Sequence, residues 1–288
     1  MEQVIANGLY LGAQYALIAL GLTLIFALMN VLNFAHGQMY VLGGFVTYEV
    51  YGLMKLPFVV ALIASALTLA VIGAALERFL FRTVIRRSER EESTMLLAAG
   101  VAYFLDAAIL LMFGEKQRGV HKIVNGVFIL DNLILPWDRI LVAGLAVLFI
   151  VAFILMMQFT KPGRAMRAMA QDRVAAQLMG VPVAFYGLVG FALGAMLAGL
   201  VGGLLVTITG VNSGIGAAIS IKAFMMVMIG GAGVVGGAIA GGFILGMLES
   251  VGLTVLHSYG DITYLAIFVA LMVFLSIRPN GLMGKPWG

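Results

Sequence analysis

Polar side chains that could do chemistry stand out because the sequence around them is so apolar. "NFAHGQMYVLGG", residues 33–44, sets Asn33, His36 and Gln38 between two greasy runs, with glycines at Gly37, Gly43 and Gly44. The imidazole of His36 can bond a neighbouring helix or touch a solute. Asp106 in "YFLDAAIL" and Glu249 in "LGMLESVG" lie deeper still in apolar sequence. An ionised carboxylate there costs about 2.5–3.5 kcal/mol on insertion scales, so each must face protein or water, either relaying protons or ions or accepting hydrogen bonds. Asn7, Tyr10 and Gln14 recur at helical spacing and make one polar stripe, a pattern that suits bonding to an adjacent helix.

Other chemistry is excluded by residue type. The chain has no cysteine, and His36, His121 and His257 are scattered, without carboxylates at ligand spacing, so no metal site is expected. It has no HExxH or GxSxG motif, so no catalytic residue is named, and no GxxxxGK[ST] loop to cradle nucleotide phosphates. The chain is read as a non-enzyme without cofactor, and any ATP drive must come from a partner.

These residues need helices to hold them. Of 288 residues 62% are hydrophobic and 10% charged, against about 25% charged in soluble domains. The fold class is an all-α, polytopic helical membrane protein in which residues 1–288 form one transmembrane domain. Apolar runs place spans near 4–29, 34–52, 57–76, 94–113, 140–158, 185–208 and 262–277. Val4 to Met29 lacks a basic leader and a cleavage site, and reads as a retained first span. A net charge of +4 implies no nucleic-acid surface.

The segment 222–256 is too long for one crossing, and "GGAGVVGG" (Gly230 to Gly237) interrupts it. Glycine costs about 1 kcal/mol relative to alanine inside a helix, so five in eight positions predict a broken or re-entrant pair. Basic residues favour the cytoplasmic side. Placing residues 77–92 (Arg78, Arg82, Arg86, Arg87, Arg90), 159–184 (Lys161, Arg164, Arg167, Arg173) and the C-terminal Arg278 and Lys285 there puts eleven basic residues inside. Six remain outside: Lys55, Lys116, Arg118, Lys122, Arg139 and Lys222. The expected topology has about eight membrane segments, the N-terminus outside and the C-terminus cytoplasmic. In the outer loop 114–139, "HKIVNGVFIL" predicts a hairpin turning at Asn125-Gly126.

Small residues four apart (Gly190/Gly194, Ala195/Gly199, Ala198/Gly202, Gly237/Gly241, Gly242/Gly246) predict close helix packing. Backbone broken inside a membrane must be buried in protein or line a cavity. Paired breaks in two halves point to a translocation route, which makes Asn33, His36, Gly37, Gly230, Gly231 and Gly233 the pathway candidates. On the cytoplasmic side, "TKPGRAMRAMAQDRVAAQLMGVPVAFYG" (160–187) brackets about four helical turns between Pro162-Gly163 and Gly180/Pro182. Read as one continuous helix, it places Arg173 between Met166 and Met169, so it is expected to touch protein on both sides rather than lie on the bilayer.

The run "GRAMRAMAQDRVAAQLMGV", with "LNFAHGQMYVLGGF" before it and "KAFMMVMIGGAGVVGGAIAGGFILGMLES" after it, resembles the permease subunits of branched-chain amino acid ABC importers of the Liv type. The resemblance extends from the first span to "RPNGLMGK". It implies a pore-forming subunit of the cell (inner) membrane of a bacterium or archaeon. That subunit would move branched-chain or other small amino acids inward by alternating access. It further implies a second permease subunit, two ABC ATPases and an extracytoplasmic solute-binding protein as partners. Residues 163–180 would be the coupling helix docking on the ATPase, with Gly163, Arg164, Arg167, Ala170, Asp172 and Gly180 at the contact. Gln171 stands where relatives often carry an acidic residue. The alternatives are a permease for urea or short amides, or a self-contained ion-coupled transporter using Asp106 or Glu249.

The absence of native cysteine allows a direct topology test. A single cysteine replacing Ser258 is expected to react with an impermeant maleimide from outside, and one replacing Ser88 only from the cytoplasm. Cytoplasmic labelling at position 258 would make 222–256 a single crossing.

Overall fold

A computed structural model describes residues 1–88, 91–130, 133–255 and 260–284. Arg90, His257, Ser258 and Lys285, invoked above, lie outside the described residues. The helices are α1 (Glu2–Met29), α2 (His36–Thr47), α3 (Phe58–Leu76), α4 (Arg82–Arg87), α5 (Glu91–Phe113), α6 (Trp137–Phe159), α7 (Lys161–Gln171), α8 (Arg173–Leu178), α9 (Val183–Leu205), α10 (Gly216–Gly230), α11 (Val235–Val255) and α12 (Gly260–Ile277). A π-helical stretch, Glu77–Phe81, fuses α3 and α4 into a 30-residue rod, Phe58–Arg87. A second one, Tyr48–Leu53, prolongs α2. Among the described residues seven helical stretches are long and apolar enough to cross a bilayer, joined by the shorter Ile262–Ile277. The polytopic helical class read from the sequence is the one observed.

Helix ends follow local chemistry. Asn30 adopts the left-handed conformation (φ 54°) and closes α1 with its N–H on the Phe26 carbonyl, a conformation that asparagine tolerates better than most residues. Pro57, Pro136 and Pro182 immediately precede α3, α6 and α9, where a missing N–H costs nothing because helix starts leave theirs unpaired.

α1 is the central post, with every residue from Gly12 to Ile25 buried. It packs antiparallel on α11. A Cβ on Gly246 would collide with Gly12 backbone, and one on Gly242 with Ala16. The other small pair of α11, Gly237 and Gly241, meets Gly230 and the Met226 carbonyl of α10 instead. The spacing of four thus serves two neighbours from two faces of one helix. On α9, Gly190 and Gly194 face α1, while Gly202 meets the Tyr40 carbonyl of α2. Without a hydrophobic drive inside lipid, such close backbone approach is what holds helices together.

The break expected in 222–256 falls at residues 231–234, where Gly231 and Gly233 take φ of 105° and 80°. α10 and α11 run out and back, as the sequence suggests. Two details differ. α10 starts at Gly216, six residues before the expected segment, and Lys222, counted above among the basic residues outside, lies inside this helix. The run 34–52 is also not a plain span. The His36 ring nitrogen Nε2 meets the Ile18 carbonyl at 3.1 Å, with eleven residues of α1, about 16 Å of helix, still to go before Met29. The chain therefore climbs back beside α1 through residues 30–35 before α2 begins.

α10 starts in the same region. Gly37 abuts the Gly216 carbonyl and Ser220, so the first turns of two interrupted helices cross each other. The sequence reading paired the break at Gly37 with that at Gly230–Gly237, but that glycine run is the tight turn at the far end of α10. The break that pairs with residues 30–35 is instead the stretch 206–215, "VTITGVNSGI", between α9 and α10.

One face of the bundle carries a hairpin of β1 (Val127–Leu130) and β2 (Leu133–Pro136), with Leu130 opposite Leu133. The strands therefore do not turn at Asn125-Gly126, which precedes β1; residues 131–132 lie outside the described residues. Gly126 (φ 121°) instead closes the base, its carbonyl accepting the Trp137 N–H at 3.3 Å. Arg118 bridges to Val211 beside this loop. The opposite face carries α7 and α8.

Gly37→Leu would drive a side chain into the Gly216 backbone. Overpacking typically costs about 1–3 kcal/mol, so lower yield and a lower melting temperature of the purified protein are expected. Wild-type values for both would contradict this packing.

Candidate functional site

Three of the sequence motifs converge on the α7 face. Thr160 caps α7 by accepting the Gly163 N–H at 3.1 Å, with Pro162 in the first turn. Gly163 lies against the last carbonyls of α6 (Met156, Met157) with no room for a Cβ. Met166 and Met169 are buried, whereas Arg164, Arg167, Ala170 and Gln171 are exposed. α7 thus has one clean apolar face turned to the bundle and a basic and polar face turned outward.

The single four-turn helix expected here is in fact two. Asp172 is extended (φ −155°, ψ 113°), and its carboxylate accepts the N–H groups of Val174 and Ala175 at 2.8 and 2.9 Å. It is the N-cap of α8, a role that aspartate fills as well as any residue. The mixed face read from the sequence came from extending one helical period across this break. Gly180 (φ 84°) ends α8, and the Val181 N–H reaches back to the Ala176 carbonyl at 3.0 Å. α8 presents Val174, Leu178 and Met179 to solvent, at 69%, 83% and 85% exposure.

Between α7 and the bundle lies a cleft of about 890 Å³, bordered by Asn30, Arg167, Ala170, Gln171, Gly233 and Asn280. α7, the glycine-rich turn and the C-terminal "RPNGLMG" therefore border one cleft. The C-terminal loop is fastened to α10, as Leu282 and Met283 donate their N–H groups to the Ile229 and Gly230 carbonyls at 2.9 and 3.0 Å. They satisfy acceptors that a helix end leaves open.

A second cavity, of about 410 Å³, is bordered by Glu77, Arg82, Arg86 and Arg173. Arg82 grips Glu77 through two hydrogen bonds, at 3.0 and 2.7 Å, and donates to the Ala184 carbonyl at 2.7 Å, tying the π-helical stretch to the start of α9. Burial pushes the pKa of the half-buried Arg173 guanidinium down, while the Glu77 carboxylate opposes the shift. With Arg86, Arg87, Lys161, Arg164 and Arg278 exposed, this face is basic.

The remaining sequence candidates lie inside the bundle. Asn33 and His36 are fully buried, and the Asn33 side-chain oxygen accepts the Ala35 N–H at 3.1 Å. A carbonyl can only accept, so the neutral His36 ring protonates Nε2 toward Ile18, leaving its buried Nδ1 without a partner. Ser220 links the two crossing helices, accepting the Gly37 N–H at 2.9 Å and donating to the Phe34 carbonyl at 2.8 Å. Asp106 accepts from Gln38 at 2.9 Å. On the polar stripe of α1, Gln14 is fully buried, and Asn7 accepts from Arg139 of α6 at 3.3 Å. Gly230, Gly231 and Gly233 form the turn at the cleft and are not beside His36.

Glu249 is not an isolated carboxylate. Lys222 donates to both its oxygens (2.9 and 3.1 Å), Tyr15 donates to Oε2 at 2.6 Å and Tyr264 to Oε1 at 2.7 Å. Removing one partner of such a buried pair costs about 3–5 kcal/mol. Lys222 and Ser220 were missed as intramembrane groups because both fall before or at the start of the expected segment. The signal for Lys222 was available, since it is the only charge in α10.

Residues 4–276 match the family described as branched-chain amino acid transport system / permease component, and the chain belongs to that family. It is 30% identical to the high-affinity branched-chain amino acid transport system permease protein BraD of Pseudomonas aeruginosa, over 99% of this chain and 96% of that one. Identity and coverage are the same with LivH of Escherichia coli K12. The probable branched-chain amino acid transport permease protein LivH of Methanocaldococcus jannaschii is 29% identical, over 99% and 94%. Among solved structures, PsaBC from Streptococcus pneumoniae in complex with a Fab aligns at 16% identity with a TM-score of 0.49, over 94% of this chain and 90% of that one.

Asp172→Ala removes the cap of α8. It is expected to cost about 1 kcal/mol of local helix stability, read as roughly fivefold faster amide exchange at Val174 and Ala175. Asp172→Asn, which keeps an accepting oxygen, is expected to exchange as the wild type does.

Proposed function

We propose that this chain is the membrane-embedded permease subunit of an ATP-driven importer that carries branched-chain aliphatic amino acids into the cell. The observation that carries this reading is membership of the permease family over residues 4–276, combined with a cleft suited to docking. α7, the Gly231–Val234 turn and the C-terminal loop border that cleft beside exposed arginines. In this reading the α7 face is cytoplasmic and the hairpin face is external, in accord with the excess of basic residues on the former. The chain forms one permease domain, residues 1–288.

ATP is hydrolysed by two partner ATPases, because this sequence has no phosphate-binding loop of its own. A second permease subunit completes the route and a solute-binding protein delivers to the hairpin face. Exposed Arg164, Arg167 and Ala170 meet the ATPase, and the apolar patch of Val174, Leu178 and Met179 adds burial there. Asp172 and Gly180 shape the surface by starting and ending α8. An ion-coupled mechanism is less well supported, because Glu249 is paired with Lys222 and Asp106 is bonded to Gln38.

The test is co-expression with the ATPase, second permease and binding-protein genes, purification, and ATP-dependent uptake of labelled leucine in proteoliposomes. Arg164→Glu combined with Arg167→Glu is expected to leave the permease in the membrane and to lower ATPase recovery about tenfold, as reversing charges at a complementary interface does. Undiminished recovery and uptake would remove α7 from the interface. Urea uptake without leucine uptake by the wild-type complex would replace the solute class.

A further inference from the structure

Among the spanning helices, α10, α11 and α12 line a half-open cavity of about 390 Å³, within the roughly 300–1,000 Å³ typical of small-molecule sites. Its walls are Ala218, Ile221, Met225, Leu245, Ile267 and Phe268, and its polar edge is Lys222, Glu249 and Tyr264. Lys222 hangs over the Tyr264 ring, 4.6 Å from its centre, and donates to the Tyr15 hydroxyl at 2.9 Å. One cation and one carboxylate therefore sit side by side at the edge of an aliphatic cup.

That is the complement of an α-amino acid zwitterion with a branched apolar side chain. We propose that this cavity is an intramembrane subsite for the transported amino acid. The Lys222 ammonium and the Tyr264 hydroxyl take the α-carboxylate, Glu249 takes the α-ammonium, and the aliphatic walls take the side chain. The assignment rests on the reading of the chain as an amino-acid permease and adds the place and chemistry of recognition within it.

The 2.9 Å Lys222–Glu249 pair is then the self-paired form of the empty site. A zwitterion exchanges one internal ion pair for two external ones of the same kind, so neither charge is left bare in the membrane at any stage. Charge complementarity also explains why both signs are kept on the edge of an otherwise apolar cup, where a purely structural contact needs neither. Urea and short amides lack the two full charges and fit the pair poorly.

Lys222→Leu combined with Glu249→Leu separates this role from a structural one. Replacing a buried ion pair by apolar residues is often neutral for folding, so the subsite predicts an assembled complex with leucine uptake lowered about tenfold or more. An assembled complex transporting within about twofold of wild type would overturn the subsite while leaving the permease reading intact.

If that variant fails to assemble, Ala218→Phe decides the question, since it keeps the ion pair and fills the cup. A hydrophobic pocket discriminates about 10- to 200-fold per methylene, so the ratio of leucine to alanine uptake is expected to fall about tenfold. An unchanged ratio would refute the assignment. Failure of the wild-type complex to carry leucine would fail the permease reading itself, a distinguishable result.

Discussion

A helix that stops inside a bilayer leaves amide and carbonyl groups where no water can reach them, and here two helices stop there. α2 and α10 both begin within the bundle, and each supplies what the other lacks. The Ser220 hydroxyl of α10 accepts from Gly37 of α2 and donates to the carbonyl of Phe34 just ahead of it. Gly37 and Gly216 bring the two backbones into contact. Unsatisfied backbone groups cost several kcal/mol each in hydrocarbon, so this crossing is the constraint to which the rest of the packing is fitted. α1 and α9 enclose it, with Gly21 and Gly194 backbone to backbone and the His36 ring against Ile18.

From that crossing α10 runs as a single rod with a function at each level. Its first turn meets α2, its middle carries Lys222 into the ion pair with Glu249, and its last carbonyls are held by the C-terminal loop at the α7-face cleft. A displacement at the cleft would act directly on the end of this helix. The other contacts of the cleft, Arg167 and Gln171 on α7 and Asn30 after α1, bring α7 and the central post to the same place. A physical link between the proposed docking face and the proposed intramembrane subsite needs an element biased from both ends, and α10 is positioned to be that element.

The α7–α8 corner shows how one residue changes the meaning of a surface. Asp172 breaks the helical period and restarts it, so α7 buries its methionines cleanly while α8 turns Val174, Leu178 and Met179 outward. Exposed apolar side chains beside exposed arginines make a face suited to a partner rather than to lipid, since an interfacial helix keeps its apolar side continuous.

The sequence alone determined the class of the protein, a break within Gly230–Gly237 and the glycine seams. These depend on composition, run length and spacing, which are local quantities. Capping at Asp172 was legible in principle, since aspartate followed by a short apolar run is a helix-start signal. The continuous period on both sides masked it. The hairpin was legible as a hairpin but not at its turn, because Asn125-Gly126 satisfies the same local rule as the base it actually closes. Only the tertiary structure decided that Gly37 meets Gly216, that Lys222 answers Glu249 27 residues later, and that three distant motifs border one cleft. Each of these is a contact between helices, and a one-dimensional apolar pattern records which residues must be buried without recording against what.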